Sequence, residues 1–370
     1  AATATCHHPP SRSCGGGSAV PGTNTIKSLD GLRGLAALLV VFEHFTVVVP
    51  RFLHGSARES GHVGVMIFFV LSGFLMGWLY LGTAPTRHGI AHFLVRRGAR
   101  VLPLYIVVVL ACFAVHWLPW DTRIWAYPIR DGESLVRHLA MIRGSSVLWT
   151  VPVEIQFYLL VPFVWIAYGA VPRATLIGLC AVIAAIYLVQ AALGWPEIEG
   201  RPLITRLPYF LVGLALARCM VPGGSRSWSG RGWDVLFVAM LASLLLLYPR
   251  IGPAFMFTMD YWSQPLALVI VSLLLVATLR SRLADGMLGS RPFRFLGKIS
   301  YGIYLLHFLV ISNLIRFTHL HPKAYILFAI SLAAILIAAQ LAHTLIERPA
   351  RDAINAWFDR RGPKLAKQGA

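Results

Sequence analysis

The chain of 370 residues is 57% hydrophobic and only 13% charged, against about 25% charged in a soluble domain. Its formal charge of +18 is spread through short segments between apolar runs, which argues against a basic nucleic-acid-binding domain. That composition excludes an ordinary soluble enzyme and predicts an all-α, polytopic membrane protein.

Residues 1–27, with Pro9-Pro10, Gly15 to Gly17 and Pro21-Gly22, read as a disordered cytoplasmic leader without the apolar core of a signal peptide. Cys6-His7-His8 has the look of a metal-ligand fragment. The five cysteines are scattered, however, and form no CxxC pair, so no metal is expected. From there about ten candidate spans follow, near 35–53, 63–81, 101–119, 147–168, 173–193, 203–219, 233–249, 264–280, 297–316 and 323–346. The fourth contains Pro152 and Pro162 and is expected to be broken. A transmembrane domain over 28–350 then gives way to a basic tail, 351–370, in which Trp357 and Phe358 suit an interfacial helix. With the N-terminus inside, the 33 lysines and arginines fall two to one on that side. Both termini are therefore expected in the cytoplasm of a cell (inner) membrane.

The first span carries SLDGLRGLAALLVVFEHF, from Ser28 to Phe45. Arg33 and His44 are eleven positions apart, so at roughly 100° per residue they share one helix face, about 16 Å apart along the axis. A histidine that deep in an apolar run marks a functional site by default. Glu43 points about 100° away from it. In the second span, Ser72-Gly73 lies in FFVLSGF, where small residues allow close helix packing. Arg96, Arg97 and Arg100 enter the third span. Forked guanidinium groups grip phosphate, although positive-inside anchoring produces the same pattern.

The longest outer loop, 120–146, mixes both charge signs and suits either a sugar-contacting lid or a plain solvated connection. Glu154 follows Trp149 and Pro152, where a proline-broken helix would open a cavity. A carboxylate paired with arginine for packing is the alternative. Tyr301, Tyr304 and His307 recur at three-residue spacing on one face of the ninth span. His307 there is either a packed, hydrogen-bonded residue or part of a site.

Five stretches in this order resemble the acyltransferase-3 family of integral-membrane acyltransferases. They are LDGLRG with Arg33 and His44, FFVLSGF, RRGARVLPLY, WTVPVEIQFY and ISYGIYLLH. The resemblance covers roughly residues 26–350 and implies transfer of an acyl group, commonly acetyl from acetyl-CoA, to hydroxyls of carbohydrates, glycolipids or small molecules. It implies no tightly bound cofactor, acyl-CoA as cosubstrate, and membrane lipids as surroundings. The chain looks like the stand-alone form without an extracytoplasmic esterase-like domain.

The resemblance puts Arg33 and His44 on the family's essential pair, Arg97 and Arg100 on its arginine motif, and Glu154 on its acidic position. Arg96, Ser72 and Tyr105 fall in the donor-binding stretches, and Trp149, Tyr304 and His307 in those facing the acceptor. The expected chemistry has His44 as general base and Glu154 orienting its imidazole. A glycan or lipid transporter, or a histidine-based sensor, would share the spans and buried charges but would not require acyl-CoA.

Overall fold

The computed structural model describes residues 26–55, 60–117, 124–193, 203–220, 230–244, 262, 264–318 and 323–361. The leader, including Cys6-His7-His8, and the last nine residues lie outside these. The described residues are helical, with no strand among them. Helices α1 (Lys27–Val48), α2 (Ser60–Tyr80) and α3 (Arg87–His116) are followed by the short α4 (Gly132–Leu139). Next come α5 (Thr150–Ala170), α6 (Pro172–Leu193), α7 (Leu203–Cys219) and α8 (Arg231–Ala242). Then follow α9 (Pro265–Arg280), α10 (Arg282–Leu288), α11 (Arg291–Phe317), α12 (Ala324–Ala342) and α13 (Arg348–Arg361).

Among the described residues, seven helical segments are long and apolar enough to cross a membrane, and the pair α9–α10, bent by 89°, makes an eighth if it is counted as one span. The remaining two expected spans coincide with α7, at 17 residues, and α8, at 12 residues, both below that length. The far end of the predicted seventh span lies outside the described residues. The protein is thus multi-pass and all-helical.

The fourth span keeps its continuity better than its prolines predict. A 3-10 turn (Ser146–Trp149) leads into α5, with Ser146 at φ 51°, and the helix then runs through Pro162. Pro152 sits in the first turn, where its missing N–H has no helical partner to lose. The irregularity is therefore confined to the turn before the helix.

The first helix starts earlier than the apolar window, because Ser28 and Gly31 are already packed inside. Helix α1 lies against α2 and α11, which with α7 form the centre of the bundle. Glycine makes these approaches possible. A Cβ at Gly34 would come within 2.8 Å of the Gly297 nitrogen, and one at Gly73 would meet the Phe210 carbonyl of α7. The small residues of FFVLSGF serve close packing, as expected.

Segment 124–129 is fastened to α11. Trp125 donates its N–H to Asn313 Oδ1 at 2.7 Å, Asn313 Nδ2 returns a bond to the Trp125 carbonyl at 2.9 Å, and Tyr127 donates to Leu305 O at 2.9 Å. Residues 120–123 of the predicted loop lie outside the described residues.

At the other end of the bundle, α12 passes through a π-helical turn (His343–Glu347) directly into α13. The predicted start of a basic tail at 351 thus falls inside a continuous helical segment that packs against α3.

Candidate active site

Three cavities follow one another through the bundle and share walls. The first, about 660 Å³, is lined by Arg96, Arg97, Arg100, Lys298, Ser300 and Tyr301, among others. Arg97, Arg100, Ser300 and Tyr301 also line the second, about 80 Å³, together with Arg33, Ser72, Glu154, Tyr158 and Tyr304. Tyr304 and Val65 in turn line the third, about 220 Å³, with Glu43, His44, His62, Trp149 and Trp262. The side chains of α1 that share a face thus fall in adjoining chambers: Arg33 in the middle, His44 at the far end.

The long α3 sets the arginines. Thr86 caps it, its hydroxyl accepting from the Gly89 N–H at 3.0 Å, and the helix extends well before the apolar window that predicted it. Arg96, Arg97 and Arg100 are thereby held on a helix rather than in a loop. Arg96 is drawn aside to Asp359 of α13, at 3.8 Å. Arg97 stands over the Tyr80 ring at 5.8 Å, and its Nε is buried without a hydrogen-bond partner among the described residues. A buried, unsatisfied guanidinium N–H beside a cavity fits an anionic ligand. Arg33 pairs with Asp30 at 3.4 Å.

Glu154 and His44 do not meet. Glu154 Oε1 accepts from Ser72 Oγ at 3.4 Å and from the Tyr158 hydroxyl, while His44 lines the next chamber. The expected carboxylate–imidazole pair is therefore corrected. Helical spacing placed His44 deep in the first span and the prolines placed Glu154 beside a break, but neither could tell that Tyr304 and Val65 stand at the junction of their chambers.

What holds His44 is its own helix and α11. Its Nδ1 lies 3.0 Å from the Val40 carbonyl. A carbonyl only accepts, so Nδ1 carries the hydrogen and Nε2 the lone pair. His307 meets the His44 ring edge to face at 4.9 Å, and Phe308 does so at 5.2 Å. His307 is fully buried, with Nδ1 2.7 Å from the Tyr304 carbonyl.

Two further predicted residues are placed differently from the rest. Tyr105 is buried, donates to the His138 carbonyl at 3.2 Å, and is not among the lining residues of the three cavities. His307 also lies behind the wall rather than in it. Trp149, Tyr304, Ser72 and the three arginines all line the column. Sequence reasoning passed over His62, whose Nδ1 is 3.6 Å from Glu43 Oε1, and Trp262, which stacks edge to face on Trp149 at 5.8 Å. His62 opens α2 one helix turn before Val65. Trp262 gave no signal, since it is isolated in the chain.

Residues 26–343 match the acyltransferase-3 family, described as an acyltransferase domain. The acyltransferase MdmB of Streptomyces mycarofaciens is 27% identical, over 88% of this chain and 91% of its own length. The peptidoglycan O-acetyltransferase OatA of Listeria monocytogenes is 25% identical, over 88% of this chain but 56% of that protein. The O-acetyltransferase OatA of Staphylococcus aureus is 23% identical, over 88% and 57%. This chain therefore spans little more than half of the OatA proteins. No solved structure matches it.

Proposed function

Since the chain belongs to the acyltransferase-3 family and is a membrane-bound acyltransferase, we propose that it moves an acyl group, most simply acetyl, from acyl-CoA to a hydroxyl. The acceptor is a carbohydrate, a glycolipid or a small molecule. Family membership weighs against the transporter reading that spans and buried charges alone leave open.

The observation that carries this reading is the column of shared-wall chambers, with arginines at one end and His44 at the other. In this reading the arginine end faces the cytoplasm, with both termini, and receives the donor's phosphates. Arg97, Arg100 and Arg33 draw the anionic donor inward, and Arg96 holds the mouth together with α13. Glu154, held by Ser72 and Tyr158, offsets the three arginine charges of the middle chamber. The acceptor enters from the opposite side, against Trp149 and Tyr304.

A thioester is already activated, so the protein's task is to place and deprotonate the attacking hydroxyl. His44 Nε2 takes the hydroxyl proton as the oxygen attacks the carbonyl carbon. The C–S bond then breaks, and the departing thiolate receives the proton from the imidazolium. General-base assistance of this kind contributes on the order of 10²–10⁴-fold. Direct transfer is favoured over an acyl-enzyme, because Ser72, the serine of FFVLSGF, is bonded to Glu154 rather than to His44.

The test is mass spectrometry of glycan and polar-metabolite pools from cells expressing wild type or His44→Ala. Acyl mass gained with wild type and lost in the mutant, at equal membrane levels, supports the reading. A gain that persists in His44→Ala rules His44 out as the base.

A further inference from the structure

The largest of the three cavities has a wall that the arginine motif does not explain. It is a polar stripe at four-residue spacing running off the end of α12: His343, Glu347, Arg351 and Asn355, all lining the cavity. The next position in the stripe, Asp359, holds Arg96 at 3.8 Å and lies 3.9 Å from His92. Most of this stripe lies beyond the family match, which ends at residue 343.

Two features of the stripe go beyond packing. Glu347 is only 7% exposed, and while its Oε2 meets His343 Nδ1 at 3.0 Å, its Oε1 is buried with no hydrogen-bond partner. Asn355 Oδ1, in the same cavity wall, is likewise buried and unpartnered among the described residues. Buried acceptors without donors are costly, and native proteins keep few of them without a purpose. The π turn containing Glu347 is a further sign, since such turns concentrate at functional sites.

These two acceptors share the chamber with five cationic side chains, Arg96, Arg97, Arg100, Lys298 and Arg351, set among neutral and apolar ones such as Leu79, Tyr80 and Trp165. A simple anion would satisfy the cations and be repelled by Glu347. The complementary ligand bears phosphates for the cations and an amino-bearing edge for the acceptors. Tyr80, in the same cavity, offers a ring face.

We propose that the His343–Asn355 stripe is a base-recognition subsite for an adenine nucleotide, with Glu347 and Asn355 accepting from the exocyclic amine. The Asn355 amide N–H then donates to a ring nitrogen, and Lys298 and Arg351 take phosphate. This deepens the donor reading above and rests on it. It makes the C-terminal helix part of the donor site.

The experiment measures binding of CoA, and of its analogue carrying hypoxanthine in place of adenine, to the full chain in zwitterionic-lipid nanodiscs. Hypoxanthine presents a carbonyl where adenine has its amine. Wild type is expected to prefer CoA roughly tenfold, the size of one or two hydrogen bonds. Asn355→Ala and Glu347→Gln are expected to erode that preference while phosphate-dependent binding persists. Asn355→Ala guards against misfolding, because the Asn355 Oδ1 that it removes has no hydrogen-bond partner among the described residues.

Equal binding of both bases by wild type, or an unchanged preference in both variants, overturns the subsite while leaving the donor reading standing. CoA failing to bind wild type at all overturns the donor reading first and the subsite with it. If anionic lipid abolishes the base preference and displaces CoA completely, the stripe is a headgroup site and the proposal fails.

Discussion

His44 and His307 meet edge to face with ring centroids 4.9 Å apart, and each points its Nδ1 at a backbone carbonyl of its own helix. Both rings are thus fixed as the same tautomer by atoms that can only accept. The pair ties α1 to α11 at the depth where the candidate base sits. His307 thus packs directly against the ring of His44.

Shortening His307 should loosen that contact. His307→Leu removes the ring and its bond to Tyr304, whereas His307→Phe keeps an aromatic edge against His44. The expected outcome is a transfer rate down on the order of 10-fold for His307→Leu, since small misplacements of a catalytic group are costly. The Phe variant should be milder. Rates in membranes, normalised to protein amount, decide it, and equal rates in Leu and wild type would remove the supporting role.

Glu154 has a different task, and its variants should separate charge from hydrogen bonding. Glu154→Ala leaves Ser72 and Tyr158 without their acceptor and takes the carboxylate from the chamber that Arg97 and Arg100 line, while Arg33 keeps Asp30. Removing one member of a buried charge cluster costs about 3 kcal/mol or more. Glu154→Gln keeps an acceptor oxygen and should cost less. Thermal unfolding in detergent measures the order, which should be wild type, then Gln, then Ala.

Much of this arrangement was legible in the sequence. Helical spacing alone put Arg33 and His44 on one face, and both do line the column. Apolar runs marked the helices, and FFVLSGF marked a close approach. Neighbourhood across helices was not legible. Glu154 belongs with Ser72 and Tyr158, and Tyr105 supports an outer turn, because pairing of distant helices is set by packing that no local pattern encodes. Nor could spacing reveal that the tail helix closes the large cavity, since Glu347 and Asn355 look like ordinary members of a basic amphipathic segment.

Gly73 gives a packing prediction free of chemistry. A side chain there would run into the Phe210 carbonyl, and a Cβ at the reciprocal Gly213 would come within 2.7 Å of Phe74 N. Backbone cannot give way as a flexible side chain does. Gly73→Val is expected to cost at least about 1–3 kcal/mol by overpacking and to lower membrane accumulation sharply. Gly178→Val, where a Cβ meets nothing within 4 Å, is the control and should accumulate normally.

The outer wall of the His44 chamber should be sensitive to acid through His138. This residue lies in α4, outside the spans. Its Nδ1 donates to the Ser134 carbonyl at 2.6 Å, and its Nε2 accepts the Ser145 N–H at 3.0 Å. Ser145 leads into the 3-10 turn that carries Ser146, Val147 and Trp149 to the chamber wall. Burial, and secondarily Arg143, hold the imidazole below its ordinary 6.5. The folded protein therefore binds fewer protons here than the unfolded chain. Its contribution is fully present above pH 6.5 and is lost as pH falls towards and through the lowered folded value. Protonation puts a hydrogen on Nε2, which can then no longer accept from Ser145. Hydrogen exchange at the Ser145 amide should accelerate as pH drops below 6.5, after correction for intrinsic exchange. His138→Gln, which does not titrate, should abolish that dependence. Protection that stays constant down to pH 5 in wild type would show that the turn is held by other contacts.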